Sequence, residues 1–237
     1  MPIEPLLKVE GLWSGYGGKP VLQGVDLHIM PGEMVAVIGR NGVGKSTLMR
    51  SLIGLLPAQD GLIRFDGADV TVESADRRAR RGMGYIPQGR DVFPRLTVRE
   101  NLLVGETALK PGATPDYGRV FGFFPILKER EAQAAGTLSG GQQQQVAIGR
   151  AMIGGPKLML LDEPSEGIQP SIVKDIARNV RRLNAETGVA VLLVEQNLDL
   201  IVTMAARGYV MDKGRIVATL GPDEIGSRDA VRRWLAL

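Results

Sequence analysis

The run Met34 to Thr47, MVAVIGRNGVGKST, constrains this chain more than any other stretch. The apolar residues Val35, Ala36, Val37 and Ile38 fit a strand covered on both faces, and Gly39 to Ser46 match G-x-x-x-x-G-K-[ST]. Gly39, Gly42 and Gly44 let the backbone curl until successive N–H groups face a phosphate. The helix expected next, from Leu48, Met49, Leu52 and Ile53, aims its positive end at the same place. Lys45 adds a point charge for the outer phosphates, and Ser46 offers a hydroxyl to the Mg²⁺ that accompanies them. The plain alternative is a glycine-rich turn with no ligand. A buried strand before the loop and a helical pattern after it argue against that reading.

With 237 residues the chain can bury a full core, as one large domain or a core with a subdomain. With a formal charge of only +3, a nucleic-acid partner is not implied. The absence of Cys rules out disulfides and agrees with a reducing compartment. The opening MPIEPLLKVEG lacks a basic n-region and an apolar h-region, so no export signal is expected. No apolar run approaches the ~20 residues that span a bilayer. Any membrane role is therefore expected from the surface, through partner chains.

Residues 6–30 read as short strands, with alternation in Leu7 and Val9 and again in Val25, Leu27 and Ile29, broken by the turn-rich SGYGGKP. Within that turn Tyr16 is either an ordinary packed aromatic or a platform for an adenine ring. The helix after the phosphate loop is expected to run to about Leu56, stopped by Pro57 and Gly61, before a strand from Leu62 to Phe65 and a turn at Asp66-Gly67. Residues 72–81 are helical in pattern, and Arg77, Arg78, Arg80 and Arg81 read as a solvated face because Glu73 and Asp76 interrupt them.

A short strand from Met83 ends at Gln88, and helices follow at Val98 to Leu109 and Tyr117 to Ala134. Of Phe121, Phe123 and Phe124, two are expected in the core and the third on a docking groove. Ser139 is a natural N-cap for a helix from Gln142 to Ile153, and Gly140 and Gly141 leave its first N–H groups uncovered, which makes a second anion site. Gln142 to Gln145 read as the exposed start of that helix. Lys157 to Asp162 is another buried strand, and the acids Asp162 and Glu163 at its carboxyl end are expected beside the phosphate loop, where ligands bind in open α/β sheets. A helix from Ser171 to Thr187, a strand from Val189 to Val194 and the polar Glu195-Gln196-Asn197 complete a crossover unit. The tail predicts a hairpin, Tyr209 to Thr219, turning at Lys213-Gly214, and a last helix from Asp223 to Leu237.

These motifs in this order resemble an ABC-type ATPase, from Tyr16 to the C-terminal helix, with LSGGQ (Leu138, Ser139, Gly140, Gly141, Gln142) the most specific element. The resemblance implies an α/β fold: a RecA-like P-loop NTPase core with an antiparallel β layer and an inserted α-helical subdomain. It implies one domain over 1–237, with the nucleotide-binding core at 1–87 and 157–237 and the helical signature subdomain at 88–156. It further implies that ATP lies on Tyr16 and on Gly39, Arg40, Asn41, Gly42, Val43, Gly44, Lys45, Ser46 and Thr47. Mg²⁺ would be held by Ser46 and by Asp162 through water, and sensed by Gln88. Glu163 would be the general base or water-orienting group, with Gln88 and Gln196 completing the catalytic set. Two such subunits pack head to tail in the family, so the signature loop of one caps the γ-phosphate held by the other.

Two features depart from the commonest pattern of that family. Gln196 stands where a His is usual and cannot offer a positive charge, and Gln169 stands where an Asp is usual in Ser165 to Pro170. Both are similar to the importers of branched-chain amino acids, urea and short amides. GRNGVGKST, PQGRDVFPRLTV, LSGGQQQQVAI and EPSEGIQPSI are most similar to the urea-type subunit, through Arg40 and the stretches after Gln88 and Leu138. The resemblance thus favours urea or a short amide, with leucine, isoleucine and valine as the alternative. It implies a second ATPase subunit, two permease chains and a soluble binding protein as partners, and a place on the cytoplasmic face of the inner membrane. A repair or translation ATPase would need a long coiled coil or a second such domain, and neither pattern is present. A nucleotide-gated binding module with little hydrolysis is conceivable from Gln196, and Glu163 argues against it.

Overall fold

The computed structural model describes residues 4–236. The first three residues of the stretch read for an export signal, and Leu237 at the expected end of the last helix, lie outside them.

The chain opens with β1 (Leu7–Tyr16) and β2 (Lys19–Ile29), paired antiparallel around Gly17-Gly18. Much of SGYGGKP, read as a turn, is therefore strand. Next come β3 (Met34–Ile38), α1 (Lys45–Ile53), β4 (Ala58–Phe65) and the two-residue β5 (Ala68–Asp69). The helix α1 stops earlier than Pro57 suggests, because Gly54 turns left-handed at φ 86° and caps it. The following strand starts at Ala58 and runs through Gly61, earlier than the expected Leu62.

Next are α2 (Ala75–Arg81) and β6 (Met83–Ile86), then the helical segment α3 (Val98–Val104), α4 (Tyr117–Phe123), α5 (Pro125–Glu129) and α6 (Gly140–Ile153). The single helix expected over 117–134 is broken because Pro125 cannot donate an N–H to the preceding turn and starts a new helix instead. Phe123 and Phe124 are buried, while Phe121 is half-buried beside Tyr117.

The remainder is β7 (Leu158–Asp162), α7 (Pro170–Thr187), β8 (Ala190–Val194), α8 (Leu198–Met204), the hairpin β9 (Arg207–Asp212) and β10 (Arg215–Leu220), α9 (Pro222–Ile225) and α10 (Arg228–Ala236). The hairpin turn falls at Lys213-Gly214 as expected, and the last helix is two helices.

Two sheets result. One is antiparallel in the order β2-β1-β4-β5; the other runs β10-β9-β3-β8-β7-β6, parallel except for the β9–β10 pair. The unbroken apolar character of β7 and β8 has a direct cause. Leu158 and Leu160 with Ala190, Leu192 and Val194 face a core shared with α1 and the antiparallel sheet. Met159 and Leu161 with Val191 and Leu193 face a second core shared with α3 to α7. A strand between two cores has no polar side to offer.

Two readings of polar runs are corrected by packing. Of the four arginines in α2, Arg78 is 1% exposed and not part of a solvated face. It donates to the carbonyls of Ser51 (2.7 Å), Leu52 (2.8 Å), Thr71 (2.9 Å) and Glu73 (3.0 Å), and so closes the open end of α1. Likewise Gln144 is buried, not exposed, because Gly141, Gln144 and Ile148 share the inner face of α6.

Candidate functional site

The phosphate loop is built from β3 into α1. Gly44 precedes the helix at φ 112°, a conformation closed to residues with a Cβ, and no side chain caps α1, so its first N–H groups remain open to a ligand. Gly39 is needed for a different reason: a Cβ there would lie 2.3 Å from the Met211 carbonyl oxygen. The turn of the β9–β10 hairpin also braces the loop, since the Gly214 N–H donates to the Val43 carbonyl at 2.8 Å and the Gln23 N–H donates to the Gly214 carbonyl at 2.9 Å. No local sequence signal announces that brace, because it joins positions far apart in the chain.

Val21, Asn41, Gly42, Gly44, Lys45, Ser46, Thr47, Gln88 and Glu163 enclose a cavity of about 320 Å³. Val43 is turned into the core beneath the loop, and Arg40 is exposed at its rim. Lys45 is 4% exposed and donates to the carbonyls of Gly39 and Arg40, each at 3.0 Å. Its Nζ also lies 3.4 Å from Glu163 Oε1.

The carboxyl end of β7 meets this loop as expected of a parallel strand. Ser46 Oγ donates to Asp162 Oδ1 at 3.0 Å, and Tyr85 donates to Asp162 Oδ2 at 3.4 Å. Asp162 is 1% exposed, and burial pushes its carboxyl up to about 6, against the opposing hydrogen bond from Ser46. Glu163 sits beside it in the left-handed region at φ 47°, a strained position for a residue with a Cβ. Its two oxygens accept from Gln196 Nε2 at 3.0 Å and Gln88 Nε2 at 3.3 Å, and Gln196 also bonds to Asn41. Three distant segments thus converge on one carboxylate.

Sequence reasoning passed over Glu195, which is 3% exposed. It accepts from the backbone N–H groups of Gln196 (2.7 Å), Asn197 (2.9 Å) and Ser165 (3.2 Å), and so sets the direction of Gln196 and of the loop after Glu163. An acid placed directly after the apolar run Val189 to Val194, at a strand end where ligands bind, was the available clue.

Two predicted groups lie elsewhere. Tyr16 is 48% exposed and lines a separate cleft with Arg50, Leu55 and Tyr85; Arg50 donates to its hydroxyl at 3.4 Å. None of Leu138, Ser139, Gly140, Gly141 and Gln142 lines the phosphate-loop cavity. Leu138 is buried, and Ser139 and Gln142 form a reciprocal cap, Gln142 N–H to Ser139 Oγ at 3.4 Å and Ser139 N–H to Gln142 Oε1 at 3.1 Å.

A glycine-rich loop closed by Lys and Ser, with two acids at the carboxyl end of a parallel strand one place removed from the loop's own strand, defines a P-loop nucleoside triphosphatase. A family profile described as ABC transporter matches residues 22–166. The high-affinity branched-chain amino acid transport ATP-binding protein BraG of Pseudomonas aeruginosa is 43% identical over 213 residues, 90% of this chain and 91% of that relative. The lipopolysaccharide export system ATP-binding protein LptB of Haemophilus influenzae is 34% identical over 235 residues, 96% of this chain and 95% of the relative. An ATP-binding cassette of an ABC transporter solved in its ADP conformation superposes with a TM-score of 0.79 at 32% identity, covering 94% of this chain and 93% of the other. The chain belongs to the ABC transporter family and is an ATPase. Among the described residues no helix is long and apolar enough to cross a membrane.

Proposed function

We propose that this chain is the ATP-hydrolysing subunit of an importer for branched-chain amino acids. The observation that carries the solute class is the 43% identity to BraG across 90% of the chain. The residue resemblance to urea-type subunits, centred on Arg40 and the stretches after Gln88 and Leu138, supports urea or a short amide as the second reading. LptB, which belongs to an export system, matches at 34% and is the more distant of the two relatives. The assay that separates the solutes is reconstitution with permease chains and a binding protein in vesicles. Leucine, isoleucine or valine should stimulate ATP hydrolysis several-fold and urea should not; stimulation by urea alone would reverse the assignment.

The proposed catalytic cycle uses the residues gathered at the cavity. The triphosphate of ATP takes the place now filled by carbonyls around Lys45, and the loop N–H groups and the start of α1 hold its charge without reorganisation. Withdrawal of Lys45 toward phosphate frees the Glu163 carboxylate, which in this structure is neutralised by that ammonium at 3.4 Å. Glu163 then orients and deprotonates the attacking water, held from either side by the Gln88 and Gln196 amides.

The donor set suits Mg²⁺. Ser46 Oγ and Asp162 Oδ1 are adjacent hard oxygens, and among the described residues no group of three or more His, Cys, Asp or Glu could hold a metal. An ion with so few protein ligands must take the rest from water and phosphate, the arrangement Mg²⁺ favours. When bound, the ion would neutralise charge developing on the phosphate oxygens.

Tyr16, exposed at the edge of its own cleft, is proposed to stack on the adenine. The signature residues Ser139 and Gly141, away from the chain's own phosphate cavity, are proposed to cap the γ-phosphate of a second ATPase subunit packed head to tail. Residues 89–105, where Phe93 and Leu103 remain 44% exposed, are the proposed contact with the permeases. This division makes 88–156 the moving helical part and the remainder the nucleotide-binding core, held at the cytoplasmic face of the inner membrane by its partners.

A further inference from the structure

Gln88 is followed by three residues in the left-handed region in succession: Gly89 at φ 81°, Arg90 at 74° and Asp91 at 50°. Glycine adopts this freely, whereas Arg90 and Asp91 carry a Cβ and are strained there. Strain of this kind persists only where the surroundings over-determine it. Here the anchors are long-range. Arg90 Nη2 donates to the carbonyls of Glu166 at 2.9 Å and Gly167 at 3.3 Å, in the loop after Glu163. Arg150, from α6, donates to the Asp91 carbonyl at 2.9 Å.

The guanidinium also explains a glycine of the signature. A Cβ on Gly140 would lie 3.0 Å from Arg90 Cζ, 3.0 Å from Nη2 and 3.1 Å from Nη1, so the planar group lies flat over the first residue of α6. A Cβ on Gly167 would lie 3.3 Å from Nη2 on the other side. Among the described residues no carboxylate forms an ion pair with Arg90. The positive end of α6 repels this cation, so two carbonyls and flat packing, not charge pairing, keep it in place. Next to it, a Cβ on Gly141 would come within 2.5 Å of Ile172 Cγ2, which packs the same helix start against α7.

We infer that Arg90 is a positioning residue that latches the loop after Gln88, the loop after Glu163 and the start of the signature helix into one unit. Displacement of Gln88 by nucleotide then moves Ser139 and Glu166 together, so the state of one site is presented to the partner subunit. This inference rests on the head-to-tail reading above. It requires the flat guanidinium, which a lysine lacks.

The chain has no cysteine, so Ala132→Cys and Ala185→Cys, both exposed, permit spin labelling of the helical segment and α7 in the full protein. Arg90→Ala and Arg90→Lys should each broaden the label-to-label distance distribution, while the affinity of the monomer for a fluorescent ADP stays within about twofold of the parent. In a Glu163→Gln background, either substitution should raise the protein concentration needed for ATP-dependent dimers about tenfold, the scale of one charge-assisted hydrogen bond. An unchanged distance distribution in Arg90→Ala overturns the latch, as does full recovery by Arg90→Lys, which would reduce Arg90 to its charge. If Glu163→Gln alone never dimerises with ATP, the head-to-tail reading falls, and the distance distribution still decides the latch by itself.

Discussion

Replacing Arg78 by methionine tests whether one buried cation closes the end of the phosphate-binding helix. The guanidinium is 1% exposed and donates to four carbonyls, those of Ser51, Leu52, Thr71 and Glu73. Methionine keeps most of the apolar stem, so the change removes donors with little cavity. Ser51 retains a second donor, the Gly54 N–H at 3.2 Å, so the change strips the donor from the buried Leu52 carbonyl and from the part-buried carbonyls of Thr71 and Glu73. A buried acceptor left unpaired costs about 1–3 kcal/mol, and relief from burying the charge offsets part of the sum, for a net loss of about 3 kcal/mol. In a chain of this size that lowers the thermal midpoint by about 6–12 °C. The measurement is thermal and urea unfolding of the nucleotide-free protein, with Arg77→Met on the exposed side of the same helix as comparison, expected within about 0.5 kcal/mol of the parent. Equal midpoints for the two variants would refute the reasoning.

Glu163→Gln should bind ATP at least as well as the parent, because the loop groups that hold phosphate remain and Lys45 only loses a competing partner, yet lose at least about 100-fold in phosphate release; steady-state turnover near normal would remove Glu163 from the catalytic role. Ser139→Arg should leave nucleotide binding intact and abolish ATP-dependent dimers in gel filtration, with a stability cost of about 1 kcal/mol from the lost cap. For Asp162, burial raises the folded carboxyl from 3.8 to about 6, so its protonated form favours the fold below about 3.8 and that contribution disappears as pH rises through about 6. Asp162→Asn should therefore stabilise the chelator-treated, nucleotide-free protein by about 2 kcal/mol more at pH 8 than at pH 4.5, read from urea midpoints, and a pH-independent difference would contradict the buried-charge account.

Much of the site was legible because its signals are short-range. The loop from Gly39 to Ser46, the acid pair after an apolar strand and the Ser139 cap each declare themselves within a few residues. The misreadings came where a distant partner decides a residue's surroundings. Arg77 and Arg78 are adjacent and chemically identical, yet one faces solvent and the other fills the end of α1. Gln144 looks like its neighbours in a glutamine run and is turned inward by the face of α6 that packs on α3 and α7. Pro57 is a breaker on paper, but Gly54 had already ended the helix by adopting φ 86°.

The chain's own order of residues determined that a glycine-rich phosphate loop, an acid pair after an apolar strand and a helix start capped by Ser139 would all exist, since each depends on local backbone geometry and hydrogen-bond capacity. Only the tertiary structure decided how they meet. The strand order β10-β9-β3-β8-β7-β6 brings Lys45, Gln88 and Gln196 to the Glu163 carboxylate and leaves the signature loop outside that cavity. It also sets Arg90 between two glycines from different segments. Burial and the satisfaction of carbonyls are properties of neighbours in space, and the linear pattern does not contain them.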